Sequence, residues 1–303
     1  MEALIHVGIP YEIIVVDDTS SDDSVKYLRQ FFKEITVLQN ETNTGFPATI
    51  NKGIFFAKLS HLLLLNNDVK LTKNYFESQI KYFERPDTFG VMGRIIGWDN
   101  DIIQDGGKYP CFQGAKIKTS GNYIPVEPLR DSWLYSIYLS GANAFVERVK
   151  ILQLKGFDEI FSPYYIEDFE LSLRAWRLGW KCYYEHSAVC RHRTSSTIKS
   201  YKKKNEVAVI YNRNKMYLHA IHLKGGIKFL WYVQLTGELI FRAISLRFYF
   251  LKSFYLFLLT RKKVVVSRKA FSAIAKTVHR NLSIRKVAKE IKVVLANESV
   301  QRI

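Results

Sequence analysis

Hydrophobic and polar positions follow two alternating periods along the first half of the chain. Short apolar runs at Glu12–Asp17, Ile35–Gln39, His61–Asn66 and Val91–Ile95 alternate with stretches of helical spacing over Asp22–Phe32, Phe46–Lys58 and Lys73–Glu84. This alternation predicts an α/β domain built on a mostly parallel sheet. Ile13-Ile14-Val15-Val16 and Leu62-Leu63-Leu64-Leu65 lack polar alternation, as central strands covered on both faces do. Each run ends in acids or amides, Asp17-Asp18 in one case and Asn66-Asn67-Asp68 in the other. Ligands of open α/β sheets bind outside the carboxyl ends of the strands, so both clusters are expected to face one crevice.

Farther on, Trp98–Arg130 is rich in Gly, Pro and polar residues and reads as irregular, a loop over the crevice. A strand is expected at Trp133–Leu139, running into Ser140-Gly141-Ala142-Asn143, then a helix over Glu167–Leu178 stopped by Gly179. Two short strands, Lys181–Glu185 and Ala188–His192, close this part. From Ile227 to Thr260 the chain is aromatic and aliphatic, but Glu238, Arg242, Arg247 and Lys252 interrupt it. Its longest uncharged run, Phe229 to Gly237, is well short of a membrane span. On one continuous helix Glu238, Arg242 and Lys252 share a face with Arg247 opposite, which suits a helix lying in an interface.

Composition sharpens this picture. With 303 residues, 48% hydrophobic and 24% charged, the chain has material for a sizeable core and is neither disordered nor fibrous. Cys111, Cys182 and Cys190 form no C-x-x-C pair and are too few to staple a secreted scaffold, and no basic segment precedes an apolar leader, so a cytoplasmic location is expected. The net charge of +17 is concentrated in one place: residues 201–303 hold 22 Lys and Arg against 4 Asp and Glu, and the rest is nearly neutral. A boundary near Ser200 is therefore expected, with a body over 1–200 and a basic, amphipathic helical region over 201–303 that meets an anionic membrane surface. Arg261-Lys262-Lys263 and Arg268-Lys269 supply a polybasic cluster for it. The alternative is a helical extension packed on the body with a solvated basic face. No nucleic-acid-binding signature accompanies the charge, so no nucleic-acid partner is expected.

Three clusters are candidates for chemistry. Asp17-Asp18-Thr19-Ser20 leaves a strand and enters a helix, where its carboxylates either cap the helix or accept hydrogen bonds from a nucleotide; no G-x-G-x-x-G or P-loop follows. Asp68, at a strand end among amide oxygens, is a turn residue or a hard ligand for Mg²⁺ or Mn²⁺ holding a diphosphate. Glu167-Asp168-Phe169-Glu170 crowds three carboxylates at a helix start, and their repulsion raises at least one pKa, which suits a general base. Asp168 is the candidate, because Glu170 and Arg174 stand four apart and can form a helical pair. Cys182, His186, Cys190 and His192 do not have the spacing of common zinc pairs.

Taken in order, these segments resemble the inverting glycosyltransferases of family 2, with the GT-A fold, and in particular their rhamnosyltransferase-like bacterial branch. The resemblance rests on Tyr11 to Ser20, on Asn43-Thr44-Gly45-Phe46 with Asn51-Lys52-Gly53, on Leu63 to Val69 at the D-x-D position, on Ser140-Gly141-Ala142, and on Glu167-Asp168-Phe169-Glu170 with Arg174 and then His192. It covers residues 1 to about 200. It implies transfer of a sugar from a nucleotide-diphosphate donor to a hydroxyl of a glycan or lipid-linked acceptor in cell-surface polysaccharide synthesis, peripherally at the inner face of the membrane. By the same resemblance Asp17, Asp18, Asn43, Gly45, Asn51 and Asn67 bind the donor nucleotide. Gly141, Ala142, Glu167 and Glu170 line the acceptor site, Asp168 is the catalytic base, and Asp68 with His192 holds a divalent cation, Mg²⁺ or Mn²⁺. Two departures stand out: Asn66 replaces the first acid of the D-x-D, and the strand that opens the family's domain has no counterpart before Glu12. From the second, a sheet edge left open in this chain is expected.

Overall fold

The computed structural model describes residue 3 and residues 8–126, 133–193 and 204–303. The first apolar run forms β1 (Ile14–Asp17), which pairs in parallel with β2 (Thr36–Gln39), Ile14 opposite Thr36 and Asp17 opposite Gln39, with α1 (Ser24–Phe31) as the crossover. α2 (Phe46–Phe56) follows and carries Pro47 in its first turn, where no N–H is needed for the helix. The second apolar run, β3 (His61–Leu65), lies in a different sheet. There the order is β3, β9 (Asn143–Glu147), β5 (Thr88–Gly97), β10 (Lys181–His192) and β4 (Val69–Leu71), with β6 (Ile103–Asp105) also paired to β5. β5 and β10 are parallel and the other pairs in this sheet are antiparallel, so the sheet is mixed.

The sequence predicts β1 and β3 at the centre of one sheet, and the structure divides them between two. Among the described residues, β1 has β2 alone as a strand neighbour and β3 has β9 alone. Their entrances are nevertheless tied together, since Glu12 Oε1 accepts hydrogen bonds from Lys58 N (2.7 Å) and Leu59 N (3.0 Å).

Several expected elements differ. The stretch expected as a helix at Lys73–Glu84 is a series of turns ending in a short 3₁₀ segment, Ile80–Glu84, with Tyr75, Phe76 and Tyr82 buried in the core. Of Trp98–Arg130, residues 127–130 lie outside the described residues and the rest is largely sheet: β7 (Gly107–Gln113) and β8 (Lys116–Pro125) form a hairpin turned by Gly114 at φ +61°, and β11 (Val300–Arg302) adds to β8. Trp133–Leu139 is extended but makes no ladder; it bridges two sheets through Tyr184 N to Leu134 O (2.8 Å) and Ile137 N to Lys108 O (3.0 Å). The two closing strands are one, β10, with a register shift against β5 between Glu185 and Val189.

After α3 (Arg148–Gln153) and α4 (Glu167–Arg177) the described residues form five helices: α5 (Lys204–His222), α6 (Gly225–Ile244), α7 (Phe248–Leu259), α8 (Arg261–Thr277) and α9 (Ile284–Ala296). The charge boundary near Ser200 is not a boundary in packing. Trp231, Phe257, Phe271 and Ile291 share one buried cluster with Ile117, Phe161 and Trp176, and β11 completes a sheet of the body. These helices are thus packed against the body. The single helix expected across 227–260 is interrupted at Ser245–Arg247, where Leu246 takes φ +55°. Within α6, Glu238 pairs with Lys116 of β8.

Candidate active site

Asp17 and Asp18 stand where β1 ends. Asp17 is buried, and its carboxylate accepts from Ser20 N at 3.2 and 3.3 Å, closing the turn into α1. Asp18 holds the next loop: its carboxylate accepts from Asn40 Nδ2 (2.9 Å), Thr44 N (2.9 Å) and Gly45 N (2.9 Å), while Asn43 Nδ2 donates to the Asp18 carbonyl at 3.2 Å. Partial burial works to raise the Asp18 pKa, but these donors outweigh it and hold the carboxyl below the ordinary aspartate range. Gly45 takes φ +83°, and a Cβ there would meet Pro163 Cα at 2.7 Å, so this position requires glycine on both counts. Phe46 N donates to Pro163 O (2.8 Å), which clamps the start of α2 to the segment before α4.

Asn51 is not available to a nucleotide. It is 3% exposed; its Nδ2 donates to Phe157 O (2.9 Å) and its Oδ1 accepts from Phe157 N (2.7 Å), pinning α2 to the turn after α3. Its Nδ2 also donates to Glu159 Oε1 (3.1 Å), so the amide is a structural bridge.

The turn after β3 presents Asn66, Asn67 and Asp68. Asn66 N donates to Ala142 O (3.3 Å), which joins this turn to the Ser140–Asn143 segment, and Asn67 is exposed. The antiparallel pairing of β4 with β10 sets His192 opposite Val69, and so His192 Nε2 lies 3.4 Å from Asp68 Oδ1. That carboxylate oxygen is enclosed and has no hydrogen-bond partner among the described residues. Gln104 Nε2 donates to His192 O (3.4 Å), which leaves Gln104 Oε1 as the acceptor from His192 Nδ1–H (3.1 Å). In neutral His192 the Nε2 lone pair therefore faces Asp68 Oδ1. Two Lewis bases aimed at one point suit a divalent cation, with an outer partner fixing the imidazole tautomer as at metal-binding histidines. No group of three such ligands occurs among the described residues.

At the start of α4, Asp168 faces Gly141. Its Oδ1 accepts from Phe169 N (2.7 Å), its Oδ2 from Gly141 N at a long 3.5 Å, and the Phe46 ring packs on the same glycine. Burial raises the Asp168 pKa, and the hydrogen bonds from Phe169 and Gly141 offset only part of the effect. Glu167 beside it is 7% exposed, its Oε2 has no partner among the described residues, and burial together with the Asp168 charge pushes it up to about 8. Both carboxyls therefore hold a proton more readily than isolated acids do, mainly because they are buried.

Glu170, expected in the acceptor site, points the other way. It is fully buried, pairs with Arg174 Nε (2.9 Å) and accepts from His222 Nε2 (3.0 Å). Arg174 also donates to Leu154 O (2.6 Å) and Gly156 O (2.8 Å), while Arg177 donates to His222 Nδ1 (2.8 Å). The helical pair with Arg174 is thus part of a buried network that bolts α4 to α5.

Sequence reasoning did not find Gln104, which lies in the stretch read as a loop, or Asn214 on α5. The segment into α4 runs through Tyr165 (φ 76°) and Ile166 (φ 75°), a left-handed pair costly for any side chain and most of all for β-branched isoleucine. Asn214 Nδ2 holds it by donating to the carbonyls of Phe161 (2.6 Å), Tyr164 (3.0 Å) and Tyr165 (2.9 Å), and Arg213 donates to Ser162 O (2.5 Å). The available signal was a buried amide on a helix otherwise read only for its charge.

Residues 2–127 match the family model described as Glycosyl transferase family 2. The N-acetylglucosaminyl-diphospho-decaprenol L-rhamnosyltransferase of Mycobacterium tuberculosis, found in two strains, is 24% identical over 62% of this chain and 68% of the relative. Among solved structures, that of GalNAc-T7 with UDP, GalNAc and Mn²⁺ superposes with a TM-score of 0.63 at 16% identity, covering 95% of this chain. This chain spans about half, 52%, of that protein's length.

Proposed function

From the match of residues 2–127 to the glycosyl transferase family 2 model and the fold shared with a solved glycosyltransferase structure, we propose that the chain is a family 2 enzyme of GT-A fold that moves a sugar from a nucleotide-diphosphate donor to an acceptor hydroxyl in one inverting displacement. The observation that carries this reading is Asp168: a carboxylate set against Gly141, with a raised pKa, an Oδ2 that accepts only one long hydrogen bond, and no ion-pair partner among the described residues. In the reaction the acceptor oxygen bonds to the anomeric carbon, the bond from that carbon to the diphosphate oxygen breaks with its electrons leaving on the diphosphate, and the acceptor proton passes to Asp168. A base of raised pKa is matched to that task near neutral pH.

Asp17 and the loop of Asn43 and Gly45, held by Asp18, form the donor side in this reading, with Asn67 at its rim. Gly141, Ala142 and Glu167 form the acceptor side. Asp68 and His192 would hold a Mg²⁺ or Mn²⁺ ion, which supplies charge neutralisation for the departing diphosphate. The Mycobacterium tuberculosis relative is named for a lipid-linked acceptor, which supports an acceptor of that class here and work at the inner face of a membrane in polysaccharide assembly. None of the described helices is long and apolar enough to cross a membrane, and the contact proposed is a peripheral one. The test is a screen of nucleotide sugars for turnover or donor hydrolysis, with and without Mn²⁺. Release of a nucleoside diphosphate from at least one donor is expected, and none from any donor contradicts the reading.

A further inference from the structure

α6 is apolar on two opposite faces. Trp231 and Leu235 are buried in the core, whereas Phe229, Val233, Ile240 and Ile244, repeating at helical spacing on the other side, are between 55% and 77% exposed. The core already accounts for one face, and nothing in the described fold covers the other. The turn into α7 continues it: Phe241, Leu246 and Phe248 are each more than 60% exposed. Exposed apolar surface of this extent marks a contact with something outside the chain.

Charge identifies what that is. Between Glu238 and Glu290 there is no acidic residue and there are thirteen Lys and Arg, among them the exposed Arg247, Lys252, Arg261, Lys262 and Lys263. A second copy of the chain on this face would set cation against cation with no acid to offset them. A nucleic acid would take the cations and leave Val233, Ile240, Ile244 and Leu246 in water. An anionic bilayer satisfies both, with apolar side chains below the headgroups and cations among the phosphates.

We infer that the outer stripe of α6 and the α6–α7 turn insert into the headgroup layer of an anionic membrane, with Arg247, Lys252 and the start of α8 on the lipid phosphates. The inference extends the membrane-side reading above to a named surface. It rests on exposure and charge, not on the sugar chemistry, so a failure of either leaves the other standing.

The experiment is flotation of the full chain with vesicles of phosphatidylcholine, alone or with about one third phosphatidylglycerol, at low salt and at about 0.5 M NaCl. Two double variants accompany it, Phe241→Ser with Ile244→Ser, and Lys262→Glu with Lys263→Glu. All four positions are exposed, so thermal melting by circular dichroism should match the parent, and any variant that does not is replaced by its single substitutions. The parent is expected to float with the anionic vesicles only. The apolar variant should lose at least about 10-fold in partitioning at both salts, and the charge variant chiefly at low salt. The inference is overturned if the parent does not float or if the apolar variant floats as well as the parent. It is overturned equally by a solution dimer that the apolar variant dissociates, or by DNA displacing the parent from the vesicles.

Discussion

His192 Nε2 and Asp68 Oδ1 face each other at 3.4 Å, and neither has a hydrogen to offer the other while His192 is neutral and Gln104 accepts from its Nδ1–H. Such a pair is stable when a cation lies between its members. Asp68→Ala should weaken binding of a nucleoside diphosphate most at limiting Mn²⁺, and Gln104→Ala should cost about 10–100-fold in metal affinity by freeing the imidazole. Calorimetric Mn²⁺ titrations that superimpose for parent and Asp68→Ala would reduce Asp68 to a turn residue.

Asn214 should matter to turnover without touching a substrate. Replacing it with Ala removes the donor to the carbonyls of Phe161, Tyr164 and Tyr165, so the left-handed Tyr165–Ile166 pair relaxes and Asp168 shifts with it. The expected result is a fall in kcat of about 10²-fold with donor binding unchanged, as a displacement of an ångström near the reacting atoms produces. A matching loss of donor affinity, or no loss of kcat, would contradict a positioning role.

The buried network at Glu170 predicts an effect on stability. Glu170→Gln leaves Arg174 without its counter-charge in the core, which typically costs about 3–5 kcal/mol. Burial pushes the His222 pKa down to about 4, so the imidazole is neutral across the physiological range and bonds Glu170 through Nε2–H. Denaturant midpoints measure the loss; a midpoint unchanged beside a raised acceptor KM would return Glu170 to the acceptor site.

Much of the donor side was legible because its determinants are local. A run as apolar as Ile13–Val16 ending in two aspartates reads as a strand with acids at its carboxyl end, and it is one, with Asp18 gripping Thr44 and Gly45, although Ile14, Val15 and Val16 are only half-buried beside a single partner strand among the described residues. Asp68 and His192 could be nominated one at a time, but their meeting depends on β4–β10 register, which no local pattern encodes. The amide of Asn51 and the acid of Glu170 read as ligands because residue type carries no information on which way a helix turns. The β7–β8 hairpin was obscured by Gly and Pro, and the packing of α5–α9 by their charge, since buried and solvated faces share one helix.

Glu167 gives a pH-dependent test of the crowded pair. Its folded pKa of about 8 lies above the ordinary 4.5, so the folded state binds the proton more tightly than the unfolded chain. The sign follows: stability is full below the ordinary value and is lost as pH rises toward the folded value. Glu167→Gln should therefore raise the melting temperature more at pH 8 than at pH 5, by roughly a few degrees for a chain of this size. An equal gain at both pH values would mean that Glu167 does not carry the raised pKa.

The most direct test of sugar transfer through Asp168 is the turnover of Asp168→Asn beside its donor affinity, once a donor is known. The substitution keeps the side chain's shape beside Gly141, removes its capacity to take a proton, and gives up one acceptor, least costly at the long bond from Gly141 N. The account predicts a loss of at least about 10²-fold in kcat with donor affinity and melting temperature held or improved. Turnover within a few-fold of the parent, with the donor still bound, would contradict it.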